Sequence, residues 1–309
     1  MFGLKTNLKT KSLYITIVVF IATSAFGWSN NASAELRIML QDNFVSSPLG
    51  KAPAKTKIAP WMGKCSGNCP IISKEQALYG DRSMKTYLHR DKSKRSYRTE
   101  MVPAGNINTG VLHGEDWWYA FSVYIPGDHI PDSESHDVVA QWHANKDEGE
   151  GKLGGPVIGL RVDNTRWELD VNWTSNKIST KQNINTMRYN MGPIAPGVWT
   201  EWIFHMKWSY QDDGILEVWK NGKKVVNREG PNAYNDNKGP YLKVGLYKTS
   251  WRNSGKGANI RSRTFYHDGF VIAKGADVKL SDITSRLSGG NAKGQGGALP
   301  PPSQLKIIK

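Results

Sequence analysis

The chain has 309 residues, 41 Lys+Arg against 27 Asp+Glu, a net charge of +14 and 39% hydrophobic residues. Beyond the first few dozen residues, no stretch is apolar enough to cross a bilayer, which excludes an integral helical membrane protein. No nucleic-acid-binding motif accompanies the positive charge.

Lys5, Lys9 and Lys11 precede an apolar run from Leu13 to Trp28, and Ala32-Ser33-Ala34 supplies a small-residue cleavage site. This is the pattern of a secretory signal peptide over residues 1–34, which predicts a secreted or periplasmic protein with no stable membrane association after cleavage. Removing those residues takes away three lysines and no acid, so the net charge falls from +14 to +11. A basic exported protein calls for a polyanionic partner, and outside the cytoplasm an acidic polysaccharide fits better than nucleic acid. Cys65 and Cys69, the only cysteines, are expected to close a small disulfide loop in that oxidising setting.

Residues 35 to about 110 mix Pro, Gly and Lys loops with short apolar runs. Ser73 and Gln76 have capping-box spacing and predict a short helix over Ser73–Leu78. Two-residue periodicity then predicts strands at 117–125, 138–143, 157–162, 167–173, 201–209, 215–220, 223–227, 241–248 and 264–273. Asn221-Gly222 between two of these is a strong two-residue hairpin signal. From Leu287 onward the Gly- and Pro-rich sequence lacks the apolar content to pack and reads as a flexible tail. Many short strands with turns between them imply one all-β domain over residues 35–286, a concanavalin-like β-sandwich or jelly roll. Twelve tryptophans suit sugar stacking, although indoles also fill ordinary cores.

On a strand, alternate residues share a face. In Tyr241-Leu-Lys-Val-Gly-Leu-Tyr247 this groups Lys243, Gly245 and Tyr247 opposite the apolar Leu242, Val244 and Leu246. The glycine would leave room for a ligand to lie against the backbone. Gln141 and His143 share a face in Val138–His143, and Arg98 and Glu100 do so earlier. Were these strands neighbours, one face would hold Arg98, Gln141, His143, Lys243 and Tyr247. Those groups suit β-elimination on a uronic acid. Cationic or amide donors stabilise charge building on the carboxylate, a base removes the C5 proton, and an acid protonates the leaving O4. A Tyr close to Lys and Arg has its pKa lowered by those charges.

The order of motifs resembles that of the jelly-roll polysaccharide lyases that include glucuronan lyases and heparin lyase I. The resemblance rests on Arg95-Ser-Tyr-Arg-Thr-Glu-Met101, Trp118–Pro126, Gln141-Trp-His143, Trp199–His205, Asp213–Gly222, Tyr241–Lys248 and Phe265–Val271. It implies that His143 and Tyr247 are the acid–base pair and that Lys243 neutralises the carboxylate. Arg98 and Gln141 would orient substrate, and Trp142, Glu168 and Asp170 are further substrate-binding candidates. It also implies a structural Ca²⁺ held by Asp42, Asp268 and the Gly80 carbonyl, a set of hard oxygen ligands. No organic cofactor is expected, and the protein is expected to act as a monomer.

Two rival readings need weighing. Glu168-Leu-Asp170-Val-Asn172-Trp173 looks like the laminarinase-type strand Glu-x-Asp-x-x-Glu, but Trp173, or Asn172 without a bulge, stands where the second glutamate should be. A hydrolase needs that second carboxyl. A non-catalytic carbohydrate-binding module would explain the Trp, the sandwich and the charge, but not His143, Lys243 and Tyr247 together.

Overall fold

Most of the strands turn one apolar row toward a shared interior, and two antiparallel sheets result. The computed structural model describes residues 37–53, 61–65, 68–92, 97–103, 111–151, 156–253 and 260–289. The signal-peptide reading and most of the tail lie outside these residues, as does the side chain of Cys65, so the expected disulfide does too.

The first sheet runs in the order β13 (Lys223–Glu229), β12 (Ile215–Lys220), β11 (Trp199–Lys207), β6 (Asp116–Tyr124), β15 (Ser262–Lys274), β4 (Ser83–His89) and β3 (Ile71–Ser73). The strand β1 (Arg37–Asp42) pairs with the C-terminal half of β15. The second sheet runs β10 (Asn185–Pro193), β9 (Arg166–Trp173), β8 (Ile158–Asp163), β7 (Asp137–His143), β14 (Tyr241–Tyr247), β5 (Arg98–Pro103) and β2 (Trp61–Cys65). The protein is a β-sandwich of jelly-roll type. All nine predicted strands are present. The hairpin turn between β12 and β13 has positive φ at both Asn221 and Gly222, the geometry that favours this dipeptide.

The core lies between the sheets. Trp202, Phe204 and Met206 face it from β11, with Trp208 just past the strand's end, and Trp142, Leu242, Val244 and Leu246 face it from the second sheet. Trp142 packs against Phe204 and Tyr119, with ring centroids 4.8 and 5.3 Å away. It is fully buried, which removes it from the substrate-binding candidates: its neighbours Gln141 and His143 point out, so it must point in. Most of the other indoles share that fate. Among the described tryptophans only Trp173 is partly exposed, so the abundance of this residue reports packing.

Two further expectations change. Ser73–Leu78 is not helical: Ser73 closes β3, and its hydroxyl accepts the Glu75 N–H at 3.1 Å. A Ser side chain competes in this way for backbone donors and stabilises a turn instead. Leu287 is no part of a loose tail. It belongs to α2 (Leu280–Gly289) and, with Ile283, packs on Trp118, Ile203 and Trp219 on the outside of the first sheet. A short helix, α1 (Thr249–Asn253), follows β14.

Candidate active site

The outer face of the second sheet is polar because its strands alternate against an apolar inner face. On it β5, β14 and β7 are immediate neighbours, so the three predicted stretches meet. Lys243 pairs with Gln141 and Tyr241 with His143 across β14 and β7. Tyr247 pairs with Arg98 and Gly245 with Glu100 across β14 and β5.

Glu100 is the hub of this face. It is buried, and its Oε1 accepts from Gln141 Nε2 at 2.5 Å. Its Oε2 lies 2.8 Å from Arg98 Nε. Burial raises the Glu100 carboxyl above its usual range, against the opposing pull of Arg98 and Lys243. Gln141 and Glu100 stand on the two strands flanking β14, so their bond spans it. Gly245 has φ +141°, and an added Cβ would come within 2.2 Å of the Thr99 carbonyl. The missing side chain therefore serves the close approach of β5, a requirement additional to the ligand access that its position suggested.

His143 and Tyr247 occupy opposite ends of the site. His143 lies 5.5 Å from the Tyr241 ring. Tyr247 is six residues further along β14, roughly 3.3 Å per residue, with the Arg98 guanidinium 4.3 Å above its ring. Between them stands Lys243, buried, its ammonium 5.1 Å from the Tyr241 ring. His143 Nδ1 lies 2.9 Å from the Ala144 carbonyl. A carbonyl can only accept, so Nδ1 carries the proton and Nε2 keeps its lone pair. Burial and then the Lys243 charge push the His143 pKa down to about 4. The imidazole is thus neutral at ordinary pH and able to take a proton.

Glu168 and Asp170 share this face on β9, bound into a network with arginines. Arg161 reaches Glu168 at 2.8 Å and Asp170 at 2.6 Å, Arg166 reaches Glu168 at 3.0 Å, and Arg188 reaches Asp170 at 2.7 Å. Burial opposes ionisation of Glu168, but these guanidiniums outweigh it and hold the carboxyl below its usual range. A glycosidase acid needs its pKa raised. Asn172 is also engaged, accepting from Thr186 and donating to the Pro156 carbonyl, each at 2.7 Å. The hydrolase reading thus loses both its acid and its second carboxylate. Sequence reasoning placed Glu100 beside Arg98 but gave it no part, and it overlooked Arg161 and Arg188 as members of this face. Arg98-x-Glu100 and Arg161 opposite Glu168 carried the signal, which becomes readable once strand order is known.

Asp42 and Asp268 lie away from this face. Asp42 accepts from the Phe44 N–H and from Trp61 Nε1, both at 2.8 Å. Asp268 accepts from the N–H groups of Leu78, Tyr79 and Gly269. Burial, with a contribution from the Asp42 charge, pushes the Asp268 pKa up to about 7. A carboxylate has about four lone-pair positions, so each retains capacity for a cation, and an all-oxygen pair of mutually repelling acids fits Ca²⁺. No cluster of three or more His, Cys, Asp or Glu with metal-binding geometry occurs among the described residues, so backbone oxygens such as that of Gly80 would have to complete such a site.

A family model described as polysaccharide lyase matches residues 62–271. Among solved structures, an endo-β-1,4-glucuronan lyase from the fungus Trichoderma reesei is similar, with a TM-score of 0.61 and 17% identity over 76% of this chain and 94% of that one. An alginate lyase, AlyC3, gives a TM-score of 0.44 at 14% identity, covering 62% of this chain and 75% of that one. The binding domain of botulinum neurotoxin serotype C1 gives 0.50 at 8% identity, covering 82% and 52%. At these identities the structural likenesses speak for the fold alone. No curated protein matches.

Proposed function

Since the chain belongs to the polysaccharide lyase family, we propose that it cleaves a uronic-acid-containing polysaccharide by β-elimination on the outer face of the second sheet. The observation that carries this reading is the meeting of Lys243, Gln141, His143, Tyr247 and Arg98 on one face, with His143 held neutral beside a buried ammonium.

In the proposed reaction the uronate carboxylate sits against Lys243 and Gln141, which take up the charge that develops on it. His143 Nε2 removes the C5 proton. The C5–H electron pair forms the C4=C5 double bond as the C4–O4 bond breaks, and Tyr247 delivers a proton to O4. One sugar can meet both only if the two side chains converge over Lys243, and the register shift between Val244 and Tyr247 works in that direction by shortening the path along the sheet. Arg98 fixes the Tyr247 ring, and the Arg161 and Arg188 guanidiniums, paired with Glu168 and Asp170, carry a charge-balanced polar surface across β8 toward the sheet edge. The substrate is then a polyanion, drawn by the net charge and held across the strands. Export, the expected setting for such a substrate, belongs to the same reading. Among the described residues no helix is long and apolar enough to cross a membrane.

Incubation with glucuronan, alginate and heparin tests the reading directly, because elimination creates an unsaturated uronate that absorbs in the ultraviolet. We expect an absorbance rise on an unsulfated polyuronate. Binding without any rise across the panel would reduce the protein to a carbohydrate-binding role.

Asp42, Asp268 and the Gly80 carbonyl are proposed to hold a structural Ca²⁺, which would relieve the repulsion between the two carboxylates. Chelation with EGTA is expected to lower the melting temperature, and added Ca²⁺ but not Mg²⁺ to restore it. A melting temperature indifferent to both would remove the ion.

A further inference from the structure

A cavity of about 490 Å³ opens at the end of the sandwich where β6 runs into Pro126 and β15 begins. Its lining includes Glu75, Lys85, His129, Ile130, Arg263 and Tyr266, contributed by the first sheet and its loops. None of these stands on the face described above.

The chemistry of the lining is specific. Arg263 is only 3% exposed. Its Nε donates to Asp137 Oδ2 at 2.8 Å, and Asp137 in turn pairs with Lys248 at 3.0 Å, which pairs with Asp132 at 2.6 Å. Two cations and two carboxylates thus offset one another inside the fold, yet Arg263 Nη2 finds no hydrogen-bond partner. His129 Nε2, in the same lining, finds none either. Buried polar atoms of this kind are uncommon, and a guanidinium nitrogen can do nothing but donate. Beside them, Tyr266 presents a ring whose hydroxyl is fixed to Glu75 at 2.6 Å, with Lys85 5.7 Å from the ring centre. Ile130 is 61% exposed, an apolar side chain left in water. Donors for an anion, a carboxylate and an ammonium for hydroxyls, and apolar surface for a C–H face therefore converge in one space.

We propose that this cavity is a second, non-catalytic saccharide site, which takes the carboxylate of one uronate unit at Arg263 and His129 and its ring against Tyr266 and Ile130. The choice of a uronate as the ligand rests on the acidic-polysaccharide reading of the active face. Burial, followed by the Arg263 charge, pushes His129 down to about 4, so its ring is neutral and free to serve as a donor at ordinary pH.

The probe is sodium glucuronate, followed through the ring-proton NMR signals of His129 and His143 in the full chain. The His129 signals are expected to shift and saturate. Ile130→Trp, which crowds the cavity, and Lys85→Glu are each expected to weaken that isotherm at least tenfold, while polyuronate turnover and the His143 response stay as in the parent. Three results would overturn the site: His129 silent while His143 responds, glucose or acetate moving His129 as far as glucuronate does, or an unchanged isotherm in both variants. Failure of the lyase reading looks different, with no absorbance rise on any polyuronate whatever His129 does. Because Ile130 is exposed and Lys85 lies at the surface, neither variant depends on rebuilding the buried Arg263 network.

Discussion

Tyr247→Phe is expected to lower kcat by about 10²–10⁴-fold, the usual contribution of a positioned proton donor or acceptor, while leaving polyuronate binding measurable. The substitution removes one oxygen and keeps the ring under the Arg98 guanidinium, so the packing that fixes this part of β14 survives. A loss confined to kcat would assign Tyr247 to the proton transfers. A loss confined to KM would make it a binding surface and shift the acid role to Tyr241, the phenol beside His143. Near-normal turnover would remove Tyr247 from the mechanism.

Lys243→Met carries a second, independent readout. Lys243 is buried and stands between the two proton-moving residues, so its loss is expected to lower kcat by about 10²–10³-fold, as for other donors aimed at developing negative charge. Met occupies similar volume without a charge. The pH profile separates catalysis from packing. His143 works as a base only when neutral, and it protonates as pH falls through its pKa of about 4, so the acidic limb of kcat/KM lies near that value in the parent. Burial is the larger cause of the depression and Lys243 the next. Deleting the ammonium therefore lets the pKa rise toward the ordinary histidine value of about 6.5, and the limb should move to higher pH. A slower enzyme with an unmoved limb would mean that Lys243 does not face His143 electrostatically.

The sequence announced these residues more clearly than it announced their arrangement. Strands β6 to β9 and β11 to β15 are legible because one face of each is apolar, and Lys243, Gly245 and Tyr247 stand out against Leu242, Val244 and Leu246. Strand β10 escaped because Asn185–Pro193 is an edge strand with few buried side chains, so no alternation survives to be read. Strand β5 showed itself only through the shared face of Arg98 and Glu100, not through apolar periodicity, for the opposite reason. Thr99 and Glu100 are both buried, and buried polar residues erase the apolar signature that marks a strand. The same burial hid the part played by Glu100, whose meaning depends on Gln141 reaching it across a strand that local patterning cannot place. Helix α2 was masked by low overall hydropathy and the Gly/Pro-rich sequence after it, although Ile283 and Leu287 cover Trp118 and Trp219. The opposite facing of Trp142 from Gln141 and His143 was already implied by strand alternation, and its burial follows from that.

Lys248 gives the site a mechanical property. It follows Tyr247 directly, turns inward with no exposed surface, and is held by Asp132 and Asp137 at 2.6 and 3.0 Å. The strand end bearing the phenol is thereby riveted to the loop before β7 and, through Arg263, to the opposite sheet. A catalytic ring on a riveted strand needs no reorganisation before it acts, and positional precision of this kind is what a supporting layer provides. An activity screen that scanned this chain would score Lys248 among the essential residues although it touches no sugar, and its signature would be lost rate with lost rigidity, without any change in which polysaccharide is cut.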